Sequence, residues 1–308
     1  MRVVISEFMD GPAVAELAAR FDTQYDAALV DDTARLHAAL AEADALIVRN
    51  RTRVDATLVA AAPRLRVVGR LGVGLDNIDL AACRARGIEV IPATGANAQA
   101  VAEYVVCTVM MLLRGAYGSS AEVAEGRWPR TALSAGRELA GKTLGLVGFG
   151  GIGQLTARLA RALGARAVAH DPAIDTQLPL LRELDVRLVG LDELLAVADA
   201  VSLHVPLTDA TRGLLDRPRL ARLKRGAVIV NTARGGVVDE TALAELLRSG
   251  HLGGAALDVY AEEPLRAGSP LAGAPNLILT PHIAGLTQES NRRVSSLVAQ
   301  RVIEFLSG

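Results

Sequence analysis

Residues 142–153 read Lys142-Thr-Leu-Gly-Leu-Val-Gly148-Phe-Gly150-Gly151-Ile152-Gly153. The run 144–147 is apolar and strand-like, and residues 154–162 carry the spacing of a helix. Between them stands G-x-G-x-x-G. Gly148 permits a tight turn, Gly150 lets the backbone approach a pyrophosphate, and Gly153 lets the helix pack closely on the strand. Amides at the helix amino terminus then face the phosphates. Gly148, Gly150, Gly151, Ile152 and Gly153 are therefore the expected cofactor loop of a strand-turn-helix unit. Eighteen residues beyond Gly153, at the end of the next apolar run, stands Asp171. A carboxylate there accepts hydrogen bonds from an adenosine ribose and repels a 2′-phosphate. No arginine follows directly, so the expected cofactor is NAD rather than NADP. The other reading of Asp171 is a turn acid ahead of Pro172.

The same alternation extends outward in both directions. Before the glycine loop, residues 3–5, 45–48, 67–68 and 89–91 read as strands, with helical text at 14–20, 34–41 and 80–86. A long helix pattern runs from 98 to about 114. After the loop, 167–169, 201–203, 228–230, 255–257 and 277–279 read as further strands. Short apolar strands alternating with helices imply α/β architecture with doubly wound parallel sheets, here two of them. The last segment, 288–305, is helical, with Val294, Leu297, Val298, Val302 and Phe305 on one face. It has no strand of its own and is expected to return to the first domain. That predicts a domain of residues 1–97 and 286–308, interrupted by a domain of residues 98–285.

The chain has 308 residues, 51% of them hydrophobic and 22% charged, with a net charge of −1. This balance gives no bulk attraction to nucleic acid or to a membrane surface, and neither is an expected partner. Lys142 and Lys224 are the only lysines, so lysine-based covalent chemistry has few candidates. Cys83 and Cys107 lie in apolar, helix-like text and are expected as buried free thiols. No cysteine and histidine spacing suits a metal, and none is expected. The opening MRVVISEFMD has no basic leader, and the apolar run 104–113 is too short to span a bilayer. A cytoplasmic location is the expectation.

Three later segments place charged groups just past apolar strands. They are Val230-Asn-Thr-Ala-Arg234-Gly-Gly, Leu257-Asp258-Val-Tyr-Ala-Glu-Glu263-Pro and Leu279-Thr-Pro-His282-Ile-Ala-Gly285. Oxidising a 2-hydroxy acid needs a base for the hydroxyl proton while hydride leaves the carbon, and histidine suits that task near neutral pH. A carboxylate beside it orients the ring and favours the imidazolium. An arginine binds the substrate carboxylate and polarises the carbonyl. His282, Glu263 and Arg234 fit these roles. Taken singly, each has a plainer reading: a structural histidine, a loop acid and a surface ion-pair partner.

With these segments in order, the whole chain resembles the D-isomer-specific 2-hydroxyacid dehydrogenases. The resemblance rests on Val68-Gly-Arg-Leu-Gly72-Val-Gly74-Leu-Asp-Asn77, Gly148 to Gly153, Asn231-Thr-Ala-Arg234-Gly-Gly, Asp258-Val-Tyr with Glu263-Pro264, and Pro281-His282. It implies that Arg234, Glu263 and His282 are catalytic, and that amides around Val73 and Gly74 bind the substrate carboxylate. It places His204, Val205, Pro206, Thr232, Ala233, Asp258 and Gly285 near the cofactor. It also implies a Rossmann cofactor domain inserted into a discontinuous, flavodoxin-like substrate domain, and a homodimer formed through the cofactor domain. The arm of that dimer is expected in residues 114–128, where a plain surface helix and loop is the other reading. Some members carry a carboxy-terminal regulatory domain. None is expected here, because Gly308 follows the closing helix directly.

Arg49, Arg51 and Arg53 follow the strand 45–48, and Arg70 precedes the glycine-rich 72–74 text. Arg49, Arg51 and Arg70 are the candidates for holding a second anion at C3 of the substrate, a phosphate, sulfonate or carboxylate. Solvated surface arginines are the alternative. Within the family, residues 5–10, 47–54 and 72–78 resemble members acting on (S)-3-sulfolactate. The expected substrate pair is therefore that acid and its 2-keto acid, with D-3-phosphoglycerate next and glyoxylate or hydroxypyruvate after it. Two other classes compete: a non-catalytic NAD-sensing protein resembling transcriptional corepressors, and a Rossmann dehydrogenase acting on amino acids.

Overall fold

The computed structural model describes all 308 residues. Twelve strands form two sheets. The first contains β1 (Arg2–Ile5), β2 (Asp22–Tyr25), β3 (Ala45–Val48), β4 (Val67–Arg70) and β5 (Glu89–Pro92) in the order β2-β1-β3-β4-β5. The second contains β6 (Thr143–Val147), β7 (Arg166–His170), β8 (Val186–Leu188), β9 (Ala200–Leu203), β10 (Val228–Asn231), β11 (Gly254–Leu257) and β12 (Leu277–Leu279). Its order is β12-β11-β10-β9-β6-β7-β8. Every strand pairing is parallel. The first order is the flavodoxin-like one, and the second is a Rossmann sheet with an added edge strand.

Parallel strands are joined by helices that cover both faces, so interior strands read as unbroken apolar runs. β3, β6, β9, β10 and β11 are buried at every position. Two strands, β2 and β8, escape the sequence reading. Both are edge strands, and Asp22-Thr-Gln-Tyr25 and Val186-Arg-Leu188 lack the apolar density that burial imposes at the centre.

Two compact units result, Met1–Asn97 with Leu286–Gly308 and Ala98–Gly285. In the first, the helix Gln288–Ser307 lays Val294, Val298, Ala299 and Val302 against Val3, Ile5, Ala45, Ile47 and Val67. Burying each such valine or isoleucine contributes roughly 1.5–3 kcal/mol. The contact is close enough that a Cβ at Gly69 of β4 would lie 2.6 Å from the Val298 side chain.

In the second unit the helix Ala98–Arg114 buries Val101, Val105, Val109 and Leu112. Its outer face corrects one expectation. Cys83 is buried, but Cys107 is exposed, because it shares a helical face with Glu103, Met110 and Arg114 and not with the buried row. Both thiols are free. No single helix is long and apolar enough to cross a membrane.

Helix starts follow local capping chemistry. Asp32, Asp55, Asp79, Asp216, Asp239 and Thr287 each accept a hydrogen bond from the amide three residues on. Such a cap is worth about 1 kcal/mol. The helix Gly151–Ala162 has Gly150 as its N-cap and no side-chain cap, as is also the case for the helices that start at Gly11, Pro179 and Leu191.

Candidate active site

In the second unit the strand order turns back between β6 and β9, and ligands of open α/β sheets bind at such a point, beyond the carboxyl ends of the strands. The glycine loop sits there. Gly148 has φ +98°, and a Cβ on it would lie 2.6 Å from the His204 carbonyl oxygen that follows β9. A Cβ on Gly153 would collide with the Gly148 carbonyl, so the helix lies hard against the turn. Phe149 is completely buried and anchors the loop in the core. Around Gly150 and Gly151 the chain leaves open space, with nothing within 4 Å of an added Cβ.

Asp171 directly follows β7 beside this loop. Its Oδ2 accepts from the Phe149 amide at 2.8 Å and its Oδ1 from the Ala173 amide at 2.9 Å. It is thus a turn acid and also a carboxylate held against the glycine loop. His204 and Val205 follow β9, with Val205 Cγ1 3.2 Å from the Cβ position of Gly148. Burial pulls the His204 imidazole down to about 4, so the ring is neutral at pH 7. His204 Nε2 and Thr232 Oγ1 are sealed from solvent and have no partner within the chain. An uncapped helix start, open space beside two glycines and two unpaired polar atoms fit a bound dinucleotide.

The loop after β10 carries Thr232, Ala233 and Arg234. Buried Asn231 shapes it: its side chain donates to the Arg234 carbonyl at 3.0 Å and accepts from the Ala233 amide at 3.0 Å. Arg234 is half-buried and donates to the Ala233 carbonyl at 2.7 Å. The next residue, Gly235, touches the loop after β11 so closely that any Cβ would overlap the Tyr260 carbonyl. The Asp258 amide donates to the Asn231 carbonyl at 2.9 Å, tying the same two loops together.

Glu263 and His282 meet directly. His282 Nδ1 lies 2.9 Å from Glu263 Oε2, while Glu263 Oε1 accepts from the Tyr260 amide at 3.1 Å. The Glu263–Pro264 peptide is cis. A carboxylate only accepts, so the hydrogen of this pair sits on Nδ1 and Nε2 is left for a ligand. The two side chains are 48% and 38% exposed, enough for substrate access. His282 itself has φ +57°, a left-handed conformation that residues with a Cβ adopt at some cost.

Asp258 holds that conformation. It is 1% exposed, and its oxygens accept from the Ile283 amide at 2.8 Å, the Ala284 amide at 2.7 Å and the Thr280 hydroxyl at 2.6 Å. Both oxygens are thus committed to the loop that carries His282 and ends at Gly285. Thr280 has one hydrogen to give and gives it to Asp258, so the Tyr104 hydroxyl, 2.6 Å away, donates to Thr280. Tyr260 shares its one hydroxyl hydrogen between the Leu257 and Thr280 carbonyls, at 3.0 and 2.9 Å, and burial pushes its phenol up to about 12. Asn231, Gly235, Thr280 and Tyr104 escape sequence reasoning as site residues. Only Asn231 gave a signal, as an asparagine ending a strand ahead of a turn.

In the first unit the candidate substrate residues sit past β3 and at or past the end of β4. Arg49 lies over the Phe8 ring at 5.6 Å and donates to Asn291 Oδ1 at 2.7 Å. Arg51 is exposed and pairs with Asp31. The Arg70 guanidinium folds back over Gly72, where a Cβ would overlap it. Val73 is exposed and Gly74 partly so, in the loop after β4.

Residues 106–284 match the D-isomer specific 2-hydroxyacid dehydrogenase, NAD binding domain family. The chain belongs to the D-isomer specific 2-hydroxyacid dehydrogenases and is an NAD-dependent oxidoreductase that interconverts a 2-hydroxy acid and its 2-keto acid. It is 56% identical over 300 residues to the (S)-sulfolactate dehydrogenase of Chromohalobacter salexigens, covering 97% of this chain and 96% of that one. It is 42% identical over 308 residues to the D-3-phosphoglycerate dehydrogenase of Mycobacterium tuberculosis, spanning 99% of this chain but only 57% of that longer relative. The crystal structure of the TT0316 protein from Thermus thermophilus superposes with a TM-score of 0.90 at 38% identity, covering 100% of this chain and 97% of that one. An enzyme of this class replaces the reading as a non-catalytic NAD sensor, and the amino-acid dehydrogenase reading falls with it.

Proposed function

We propose that the enzyme interconverts (S)-3-sulfolactate and 3-sulfopyruvate. The observation that carries this reading is the 56% identity to an (S)-sulfolactate dehydrogenase over 97% of the chain. Stereochemistry agrees with it: the sulfur-bearing carbon outranks the carboxylate, so the (S) label here describes the spatial arrangement of a D-hydroxy acid. D-3-Phosphoglycerate also carries an anion at C3, and the 42% identical relative makes its keto acid the second candidate.

In the proposed reaction, bound NADH supplies the hydride. His282 donates the proton to the carbonyl oxygen through Nε2, and recovers it from solvent. Glu263, bonded to Nδ1, stabilises the protonated ring and fixes its orientation. Arg234 pairs with the substrate carboxylate and polarises the carbonyl. In the first unit, the Val73 and Gly74 amides are the proposed donors to a substrate carboxylate. Arg49, already oriented by Phe8 and Asn291, meets the sulfonate, with Arg70, which pairs with Val48 across β3 and β4, as a second cation. Arg51 joins them only by exchanging its Asp31 partner for the substrate. Gly148, Gly150, Gly151, Ile152 and Gly153 cradle the pyrophosphate, and Asp171 accepts from the ribose. His204, Val205, Pro206, Thr232, Ala233 and Gly285 line the cofactor, and Asp258 supports that side through the His282 loop.

Both thiols are free, as suits a reducing compartment, and the proposed location is the cytoplasm. Within residues 114–128, Trp128 is 77%, Tyr117 64% and Val123 43% exposed. Exposed aromatic side chains favour an interface, and the proposed assembly is a homodimer through this segment. One preparation tests both points. Purified protein is expected to oxidise NADH fastest with 3-sulfopyruvate among 3-sulfopyruvate, 3-phosphohydroxypyruvate, hydroxypyruvate, glyoxylate and pyruvate, and to sediment at twice the monomer mass. Turnover confined to acids without a C3 anion would remove both substrates, and a monomer at assay concentration would remove the dimer.

A further inference from the structure

Glu7 has no part in the proposed chemistry, yet it is a carboxylate with only 4% of its surface exposed. It follows β1 and receives the turn that follows the neighbouring strand β3. Its Oε1 accepts from the Arg49 amide at 2.8 Å and the Thr52 amide at 2.9 Å, and its Oε2 from the Asn50 amide at 3.2 Å and the Arg51 amide at 3.1 Å. Burial pushes this carboxyl up, but the amides of Thr52, Arg49 and Arg51 outweigh it and hold the group below its ordinary range. A concave run of backbone amides is an anion site, and here the chain supplies its own anion.

The other side of the turn is fastened too. Asn77 Nδ2 donates to the Thr52 carbonyl at 2.7 Å and the Arg49 carbonyl at 3.3 Å. The Ser6 and Thr52 hydroxyls lie 2.9 Å apart. Arg49 is therefore fixed twice, its backbone by Glu7 and Asn77 and its guanidinium by Phe8 and Asn291. A long cationic side chain on a loose loop loses freedom when it binds, and ordering it beforehand removes that cost.

We propose that Glu7 is a specificity-positioning residue, which holds residues 49–52 so that Arg49 meets the second anion of a doubly anionic substrate in one orientation. The proposal rests on the substrate reading above. Glu7 touches no substrate. It acts through the turn, so its loss weakens recognition of the C3 anion more than it slows the chemical step.

Glu7→Gln keeps the size and replaces one acceptor by an NH2 group that faces backbone donors. The expected result is a rise in KM for 3-sulfopyruvate of about ten- to a hundredfold, the scale of an ångström-level misplacement. The KM for hydroxypyruvate should move far less, so the discrimination between the two acids falls by nearly the same factor. kcat on 3-sulfopyruvate should change less than its KM. An unchanged discrimination, or an equal loss on both acids, overturns the proposal. Asn77→Ala, at a half-exposed position, gives a second test from the other side of the turn, with a smaller shift in the same direction expected; no shift in the folded variant counts against the proposal. Amide hydrogen exchange over residues 49–52 separates this idea from the substrate reading. If wild-type protein shows no preference for a doubly anionic acid, the substrate reading fails. Glu7 is still the holder of the turn if exchange there accelerates in Glu7→Gln, and is not if exchange is unaltered.

Discussion

His282→Ala is expected to lower kcat by about two to four orders of magnitude, the range of a lost general acid or base, while NADH binds as in the wild type. The separation follows from where the ring stands. It sits past β12 with Nδ1 on Glu263, whereas the glycine loop and Asp171 sit past β6 and β7, on their own hydrogen bonds. Removing the imidazole takes away the proton carrier at Nε2 and leaves the loop fixed by Asp258, which bonds to the backbone of Ile283 and Ala284 rather than to the ring. NADH titration by fluorescence and steady-state turnover on the same sample give the two numbers. Near-normal turnover would remove His282 as the proton donor. A parallel loss of NADH affinity would mean that the ring supports the fold of the cofactor side instead.

Gly235→Ala is expected to reduce kcat/KM about a hundredfold without touching any group that carries charge. Position 235 has no positive φ, so alanine is conformationally permitted there, and the penalty is one of contact alone. Its Cβ would overlap the Tyr260 carbonyl, which is backbone and cannot rotate aside. The loop with Arg234 and the loop with Glu263 must then part. Overpacking of this kind costs about 1–3 kcal/mol, and for a unit of this size each kcal/mol lowers the melting temperature by about 2–4 °C. Calorimetry and kinetics together decide the outcome. Activity that survives intact would show that the spacing between the two loops does not set the rate.

The fold was legible in the sequence wherever burial is two-sided. Runs such as Ala45-Leu-Ile-Val48 and Val228-Ile-Val230 announce interior parallel strands because both their faces must be apolar. The edge strands β2 and β8 were not legible, since one open edge relaxes that demand. In the glycine loop the steric needs of Gly148 and Gly153 were legible, as their close contacts display, whereas Gly150 and Gly151 meet no neighbour within the chain. Arg234, Glu263 and His282 were legible as strand-end polar groups in a familiar order. Their supports were not. Tyr104 lies 176 positions from Thr280, and nothing in the local text of either marks the pairing. Glu7 read only as part of a short stretch near the amino terminus, because four amide donors leave no trace in side-chain sequence. Cys107 read as buried because its neighbours are apolar, whereas its exposure depends on the helical phase.

The return of the helix Gln288–Ser307 to the first sheet bears on how the chain is made. Residues 98–285 form a contiguous unit whose contacts are all available once Gly285 has been synthesised. The first sheet, though translated earlier, has only the helix Gly11–Ala18 on the face around Val3, Ile5, Ala45, Ile47 and Val67, and the rest of that face stays uncovered until Val294 to Leu306 emerge. Order of birth and order of completion are thus reversed, and a nascent chain spends most of its synthesis with that apolar face open to chaperones or to its neighbours on the polysome.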